Sequence, residues 1–239
     1  MTHTSEPDPR SGLPVGLKVD AGPAVRPSRV RLEGRFVALV PLEEAHAAEL
    51  YAGSHGEGTE AIWPYLFPEP FESEGAFADY VARSVRSEDP LFFSILDRTS
   101  NRVVGHATYM RITPEHRVIE VGNILYTPAM QGTPGGTEAM YLMARHVFED
   151  LGYRRYEWKC NALNAPSCRA AERYGFTFEG IFRQHMIVKG RNRDTAWYAM
   201  VDTEWPARKA AFERWLAPGN FDAAGRQMSS LHSLMTNTA

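Results

Sequence analysis

The apolar positions of this 239-residue chain recur at two spacings, every second residue in some stretches and every three to four residues in others. The first spacing predicts strands and the second predicts amphipathic helices. Strands are predicted at 36–40, 91–96, 103–111, 118–127, 156–160, 176–178, 181–188 and 195–201, and helices at 43–52, 73–86, 164–174 and 202–216, with one more helix opening after residues 128–137. Because most strands come in hairpins with helices interspersed, the pattern predicts an α+β domain. Its sheet should be central, mixed, mostly antiparallel and twisted, with flanking helices.

The two ends of the chain lack this periodicity. Residues 1–28 contain five of the 16 prolines and no aromatic residue, which predicts a flexible N-terminal tail. Residues 218–239 are rich in Ser, Ala, Gly and Asn, and form either a C-terminal tail or a segment that docks through Leu231, Leu234 and Met235. A single domain is therefore expected at 29–217.

Composition narrows the class of protein. The chain has 26 Lys+Arg against 29 Asp+Glu, and its net charge of -3 argues against a general nucleic-acid binder. Two cysteines exclude a disulfide scaffold and favour a reducing compartment. No apolar run approaches the roughly 20 residues that span a bilayer, and the first 30 residues lack a signal-peptide stretch. A soluble, cytoplasmic protein with no membrane partner is the expectation.

The first candidate for chemistry is a glycine-rich loop that joins a predicted strand to a predicted helix. Residues 131–137 read Gln-Gly-Thr-Pro-Gly-Gly-Thr. Free N–H groups and the positive end of a helix make such a junction an anion site. The loop is neither a P-loop nor the G-x-G-x-x-G motif of a dinucleotide fold. On this stretch alone, a plain turn before a helix is an equally good interpretation.

The order of the motifs is more informative than any one of them. They are Val121 to Pro128 (Val-Gly-Asn-Ile-Leu-Tyr-Thr-Pro), Thr137-Glu138-Ala139, Asn164-x-x-Ser167, Gly175-Phe176-x-x-Glu179-Gly180 and Lys189-Gly190-Arg191-x-Arg193-Asp194. From about residue 29 to 205 this order resembles the GNAT family of acyl-CoA-dependent N-acyltransferases. Within that family the chain looks like the ribosomal-protein-alanine acetyltransferase type (RimJ/RimL-like).

The resemblance implies the GNAT fold and an acetyl-CoA-dependent reaction that needs no metal. The acetyl group would pass to a primary amine, either a protein N-terminal α-amino group or a small-molecule amine, by direct attack of the amine on the thioester. An α-amino group has a pKa near 8 and is already about a tenth neutral at pH 7, so a modest base suffices.

The resemblance also implies a cofactor site. Backbone amides of Gln131, Gly132, Thr133, Gly135, Gly136 and Thr137 would hold the CoA pyrophosphate. Pro134 stands where the family usually has glycine and has no N–H to donate, so one contact should be lost or the loop shifted. Where two strands splay apart beside a bulge, the backbone of Ile124, Leu125 and Tyr126 would pair with pantetheine. The N–H near Ile124 would polarise the thioester carbonyl. The alternative for these three residues is an ordinary core strand.

Two catalytic residues follow from the resemblance. Ala171 stands where many members have a tyrosine that protonates the leaving thiolate, and Ser167 occupies the place of the serine that serves instead in RimL-like enzymes. Asn164 would hold the helix start and the pantetheine amide. Glu120 is the carboxylate best placed to act as general base. The alternatives are a helix-capping hydroxyl for Ser167 and a solvated strand residue for Glu120.

The sequence gives fewer indications of where the acceptor amine binds. Trp63 and Tyr65 lie in a loop that either forms a wall for the acceptor or packs against the domain. His106 and His185 lie in strands and either face the cleft or are structural. The basic run 189–193 is either a solvated turn or a docking point for an acidic partner. Cys160 and Cys168 have no metal spacing and are expected to be buried, inert thiols.

A second class of function stays open at this point. The chain is alternatively a non-catalytic acyl-CoA-binding or interaction module on the same fold, a hypothesis favoured by Pro134 and by Met186, which stands where some ribosomal-protein enzymes carry a glutamate. Exposed strands near the C-terminal hairpin are able to pair between subunits, so a homodimer is also left open.

Overall fold

The computed structural model describes residues 5–20 and 22–236, and ten strands lie in that part of the chain. A small separate hairpin consists of β1 (Ser5–Pro7) and β2 (Pro14–Gly16). The main sheet contains β3 (Leu32–Glu33), β4 (Val37–Pro41), β5 (Leu91–Asp97), β6 (Val103–Thr113), β7 (Val118–Tyr126), β8 (Arg155–Asn161), β9 (Thr177–Val188) and β10 (Arg191–Val201). Its order is β3-β4-β5-β6-β7-β8-β10-β9, and every neighbouring pair is antiparallel except the parallel pair β7–β8.

Helices cover both faces of this sheet. They are α1 (Ala47–Ser54), α2 (Glu74–Val85), α3 (Pro134–Arg145), α4 (Ala165–Arg173), α5 (Trp205–Leu216) and α6 (Leu231–Thr236). A 3₁₀ turn at Glu44–His46 precedes α1, and a π-helical turn at His146–Asp150 follows α3. Ser73 caps α2, since its hydroxyl accepts the Ala76 N–H at 3.2 Å. The α+β prediction with a mixed, mostly antiparallel sheet is confirmed.

Successive residues of β5 belong to two different cores. Phe93 packs in the larger core, which the sheet shares with α3 and α5. Phe92 packs in a smaller core with Leu50 of α1 and Phe77 of α2. This alternation follows from the two-residue period of a strand, and it explains why β5 is apolar at consecutive positions.

The parallel pair β7–β8 separates part of the way along. Its ladder runs from Val118 opposite Arg155 to Val121 opposite Trp158 and continues no further. Beyond it, β7 stays paired with β6 through a bulge, in which Asn123 has a φ of 46°. The strand ends that follow diverge, which is the splay that the resemblance implies beside Ile124.

The second half of the sheet differs from the sequence prediction. The stretches 176–178 and 181–188 form one strand, β9, which is irregular at Gly180 opposite Trp197. The connection predicted at 189–194 is shorter, because β10 already begins at Arg191. Lys189 and Gly190 alone form the turn, with φ values of 52° and 69° that suit a two-residue hairpin. Arg193 therefore lies in the sheet and not in a loop.

Within the described part of the chain, the segments on either side of residues 29–217 contact the domain. The N–H of Ala24 donates to the Pro114 carbonyl at 3.0 Å, and the N–H of Val25 donates to the Leu151 carbonyl at 2.9 Å. At the other end, α6 packs against α5 and Leu231 is fully buried. The docked arrangement of the C-terminal segment is the one observed, and the flexibility of residues 1–28 stays a prediction. No helix among residues 5–20 and 22–236 is long and apolar enough to span a bilayer.

Candidate active site

A cavity of about 1240 Å³ opens where β7 and β8 diverge. One end is bounded by the loop before α3, by α4 and by part of the C-terminal segment, and the other end by residues 61–62 and 64–67 and by β6. Most of the predicted site residues line it: Tyr65, Glu120, Ile124, Tyr126, Gln131, Gly132, Thr133, Gly136, Thr137, Asn164 and Ser167. The structure thus brings together residues as far apart in sequence as Tyr65 and Ser167.

Three predicted site residues do not line the cavity. The Leu125 side chain lies in the smaller core, and Gly135 is buried against Val37. Trp63 is 5% exposed, and its indole N–H donates to the Ser54 carbonyl at 2.8 Å. The prediction of Trp63 as an acceptor wall is corrected: the ring is anchored beneath the loop, and Tyr65 is the aromatic residue that faces the cavity.

The loop before α3 keeps its helix start despite the proline. Pro134 is the first residue of α3, where proline is favoured because the helix does not use that N–H. The carbonyl of Gly136 accepts the hydroxyls of Tyr126 at 3.0 Å and Tyr174 at 3.4 Å. A side chain at Gly136 would come within 3.2 Å of the Tyr126 ring, so glycine permits this close packing of α3 on β7. The lost phosphate contact at Pro134 stays a prediction.

A cation that sequence reasoning missed lies at this end of the cavity. The Arg173 guanidinium donates to the Thr137 hydroxyl at 2.8 Å and lies 5.1 Å from the Trp215 ring centroid. Trp215 is joined to Gln227 by a 2.7 Å hydrogen bond, and Arg226 beside it also lines the cavity. The docked C-terminal segment therefore contributes to the end that holds the glycine-rich loop.

The start of α4 is held by an asparagine. The Asn164 side-chain oxygen accepts the N–H of Ser167 at 3.2 Å, so Asn164 is the cap of this helix. The Ser167 hydroxyl makes a different contact and accepts the Trp158 indole N–H at 3.0 Å. The capping interpretation of Ser167 is wrong, and its hydroxyl lies at the cavity wall.

The two cysteines lie beside this serine. Cys160 of β8 is buried and its sulfur is 3.6 Å from that of Cys168 in α4. Burial raises the pKa of the Cys160 thiol. A thiol held in its protonated form is a poor nucleophile, which agrees with the sequence expectation for Cys160. Cys168 is only partly buried.

Glu120 lies in a buried cluster of charges at the other end. It is 2% exposed, and one Arg111 nitrogen donates to its two oxygens at 2.8 and 2.7 Å. The Lys159 ammonium lies 3.0 Å from Glu120 and 2.6 Å from Glu157, which faces Glu120 across the β7–β8 ladder. The alternative of a solvated strand residue is wrong for Glu120. Its role as a base stays a prediction.

The two histidines do not line the cavity. His106 is 4% exposed, packs edge-on against Phe92, and has its pKa lowered to about 4 by burial. His185 lies on the exposed strand β9 and makes a 3.0 Å hydrogen bond to the Thr195 hydroxyl. The structural interpretation therefore holds for both.

An open strand end beside a loop-to-helix junction is a site built for a long ligand with a phosphate end. Unpaired backbone on β7 can receive an extended amide chain as a further strand. The helix start and Arg173 supply positive charge at one end of that path. This arrangement on a mixed sheet is the one that the resemblance to acyl-CoA-dependent N-acyltransferases implies.

Comparison with known proteins identifies the family. Residues 37–177 match the family model described as an acetyltransferase (GNAT) domain, and the chain belongs to that family. GNAT enzymes use acetyl-CoA as acyl donor, so the protein is an acyltransferase.

Three known proteins show how far the similarity extends. A GCN5-related N-acetyltransferase of Brucella melitensis is 48% identical with a TM-score of 0.89, covering 91% of this chain and 99% of its own. The uncharacterized N-acetyltransferase YnaD of Bacillus subtilis (strain 168) is 26% identical over 137 residues, 55% of this chain and 79% of that protein. A ribosomal-protein-S5-alanine acetyltransferase of Vibrio fischeri is 16% identical with a TM-score of 0.60, covering 74% of this chain and 98% of its own. This last similarity shows the fold alone.

Proposed function

We propose that the protein transfers the acetyl group of acetyl-CoA to a primary amine, either a protein N-terminal α-amino group or the amine of a small molecule. The observation that carries this proposal is the divergence of β7 and β8. It opens a single cavity that extends from the glycine-rich loop past Ser167 to the charged cluster at Glu120.

The cofactor residues are assigned by their places along this cavity. The pyrophosphate is assigned to the loop before α3, through backbone amides of Gln131, Gly132, Thr133, Gly135, Gly136 and Thr137. Arg173 adds a positive charge there. The backbone of Ile124 to Tyr126 pairs with the pantetheine arm, and Asn164 receives its amide. When bound, acetyl-CoA supplies an activated thioester, and the Ile124 N–H holds the carbonyl oxygen as negative charge develops on it.

Ser167 is the group that donates a hydrogen bond to the leaving sulfur as negative charge develops on it, and the proton that the amine loses finally balances that charge. Because the Trp158 N–H fills one acceptor position of the Ser167 oxygen, the serine's own hydroxyl proton is available to donate. The serine sits in the first turn of α4, whose start Asn164 fixes. These two contacts hold the hydroxyl in one place before the reaction.

Glu120 is the proposed base for the amine. A carboxylate offers about four lone-pair positions, and the contacts with Arg111 and Lys159 use three of them. One position remains for a water molecule that relays the proton from the amine. The demand on this base is small, since an α-amino group is already partly neutral near pH 7.

The proposal extends to the subtype, the location and the oligomeric state of the protein. The pair Asn164 and Ser167 supports the RimJ/RimL-like type, and Met186 departs from it. A cytoplasmic location and a reaction without a metal are part of the proposal.

The edge strand β9 exposes Phe178, Ile181, Phe182 and Ile187, which supports a homodimer formed through this strand. Size-exclusion chromatography with light scattering tests that state.

The function is tested in two steps. Acetyl-CoA should raise the melting temperature, because it binds the folded state. A panel of peptides with free N-termini and of small primary amines is then screened for release of the CoA thiol. Stabilisation together with amine-dependent thiol release is the expected result. Stabilisation without thiol release for any amine would instead favour the non-catalytic acyl-CoA-binding module, and no stabilisation would contradict both functions.

A further inference from the structure

Arg193 is a buried cation without a counter-ion. It is 7% exposed and lines the cavity, and no carboxylate of the described residues lies within ion-pair distance of its guanidinium. Its Nε–H is buried and has no hydrogen-bond acceptor in the described part of the chain. Buried charges are ordinarily paired, since removing a charge from water is costly. Burial accordingly lowers the pKa of Arg193.

The neighbours of Arg193 hold it in place without neutralising it. Its partner across the β9–β10 ladder is Met186, an apolar residue. Its guanidinium lies 5.1 Å from the centroid of the Phe67 ring, a cation–π contact. The Phe67 contact orients the guanidinium, and neither neighbour supplies a negative charge.

The other charges at this end of the cavity are already matched. Arg111 and Lys159 share the carboxylate of Glu120, and Lys159 also pairs with Glu157. Besides burial, which lowers the pKa of Arg193 most, Cys160 and Glu120 raise this pKa and Arg111 lowers it, so these groups lie within electrostatic range of the guanidinium. Arg193 is the cation left over in this group.

The loop over this end is fixed to the domain on two sides. The Tyr65 hydroxyl donates to the Leu163 carbonyl at 3.1 Å. On the other side the Lys189 ammonium donates to the Trp63 carbonyl at 2.8 Å and pairs with Glu69 at 3.2 Å. An acceptor must fit beneath this loop, which favours a small molecule over the end of a folded protein.

We propose that the acceptor is a small amine that also carries an oxyanion group, a carboxylate or a phosphate, and that Arg193 binds this group. The proposal rests on the acetyltransferase function above and names its substrate class. The planar guanidinium suits both anions, since it can donate two parallel hydrogen bonds to either. Glu120 and Ile124 lie along the same cavity, so the amine end would point toward the thioester.

A binding experiment tests the anion site without relying on catalysis. Protein saturated with CoA is titrated with N-acetylglycine, with inorganic phosphate and with the neutral N-acetylglycinamide, and the melting temperature is followed. At least one of the two anions should stabilise the wild-type protein, and the neutral amide should not. Comparing the titration with N-acetylglycine to the titration with phosphate shows whether the site binds a carboxylate or a phosphate.

Two arginine variants identify where the anion binds. Arg193→Gln should abolish the anion-dependent shift, and Arg191→Gln, an exposed residue two positions away on β10, should keep it. The rise in melting temperature produced by CoA itself should remain in both variants. This result would show that the Arg193→Gln protein is folded and binds CoA. An anion shift of equal size in Arg193→Gln, or no anion shift in the wild type, would overturn the proposal.

A kinetic experiment tests the substrate class. Pairs of primary amines that differ only in the oxyanion group, such as amino acids and their amides, are compared by CoA release. Only the anionic members should be good acceptors, with KM raised about tenfold or more in Arg193→Gln, as expected on removing a charged hydrogen-bond partner. Equal use of the neutral members would overturn the proposal. If anions bind through Arg193 but no amine of either kind releases CoA, the acetyltransferase function fails and the anion site stands.

Discussion

The indole N–H of Trp158 donates a hydrogen bond to the hydroxyl oxygen of Ser167, with the two heavy atoms 3.0 Å apart. Trp158 belongs to β8 and Ser167 to α4, so the bond ties the diverging strand to the helix beside it. A tryptophan N–H can only donate, and the serine oxygen must therefore accept. This bond does not use the Ser167 proton, which also lies within hydrogen-bond reach of the Cys160 sulfur.

The Trp158–Ser167 bond predicts a non-additive pair of variants. Ser167→Ala should lower kcat about a hundredfold, the lower range for loss of an acid–base group. Trp158→Phe should lower kcat by about fivefold, since it removes one hydrogen bond of about 1 kcal/mol. In the Ser167→Ala background, Trp158→Phe should have no further effect, because its partner is already gone. Steady-state kinetics on the four proteins measures this.

The control for this cycle is Ser100→Ala, an exposed turn residue that should leave kcat unchanged. Fully additive effects of the two variants would show that Trp158 acts on something other than the Ser167 hydroxyl. An unchanged rate for Ser167→Ala would exclude this serine as the proton donor.

Arg173 is expected to bind a phosphate of CoA. Arg173→Gln should raise the Kd for CoA about tenfold, because a charged hydrogen bond contributes about 1.5–3 kcal/mol. Binding of pantetheine, which has no phosphate, should be unchanged. Calorimetric titrations with both ligands measure the difference.

The matched control is Arg169→Gln, on the exposed side of the same helix, which should leave both affinities as they are. An equal loss of pantetheine and CoA binding in Arg173→Gln would mean that the side chain supports the shape of α4 and not the phosphate.

The elements of the fold follow closely from the sequence, whereas the charges of the site do not. Strands and helices are set by local spacing, and the motif order indicates the diverging strands near Ile124. The basic run 189–193 predicts a solvated turn or a docking point, but the turn is only two residues long and Arg193 lies in the β9–β10 ladder, where it is buried. Arg173 meets Thr137 from 36 positions away. Such long-range pairs leave no local pattern in a single sequence.

Glu138 is predicted to stabilise the fold without a role in the reaction. Its buried carboxylate accepts the backbone N–H groups of Arg35, Phe36 and Val37 at 2.7, 2.6 and 2.9 Å. Glu138→Gln removes the charge that strengthens these bonds and should lower the free energy of unfolding by about 2 kcal/mol. Urea denaturation followed by circular dichroism measures the change.

The reference for Glu138 is Glu172→Gln, an exposed glutamate whose replacement should change stability by less than about 0.5 kcal/mol. Gly34→Ala gives a second test, because a Cβ there would clash with the Glu138 carboxylate and would also lie 2.9 Å from the Val37 carbonyl oxygen. Wild-type stability in both Glu138→Gln and Gly34→Ala would contradict the role of this carboxylate.

His106 makes the stability of the protein depend on pH in one window. Its ring is 4% exposed and its Nδ1 has no hydrogen-bond partner in the described chain. Burial lowers its pKa from 6.5 to about 4, so between these values the unfolded chain binds the proton more tightly than the folded one. The stabilisation from this neutral ring is complete above pH 6.5 and is lost as pH falls toward 4. His46 and His55, whose pKa values burial also lowers, act in the same direction.

Replacing His106 should therefore flatten the pH dependence of unfolding. Between pH 7.5 and pH 5 the wild-type protein should lose about 2 kcal/mol more than His106→Gln, the difference expected for a pKa lowered to about 4. Urea denaturation at both pH values gives, for each protein, the change in unfolding free energy between pH 7.5 and pH 5. Comparing these changes cancels any loss of packing in the variant, because that loss is present at both pH values. His116→Gln, at an exposed position, should keep the wild-type change. If His106→Gln retains the full wild-type pH dependence, the ring is not the group that titrates, and His46 and His55 become the candidates.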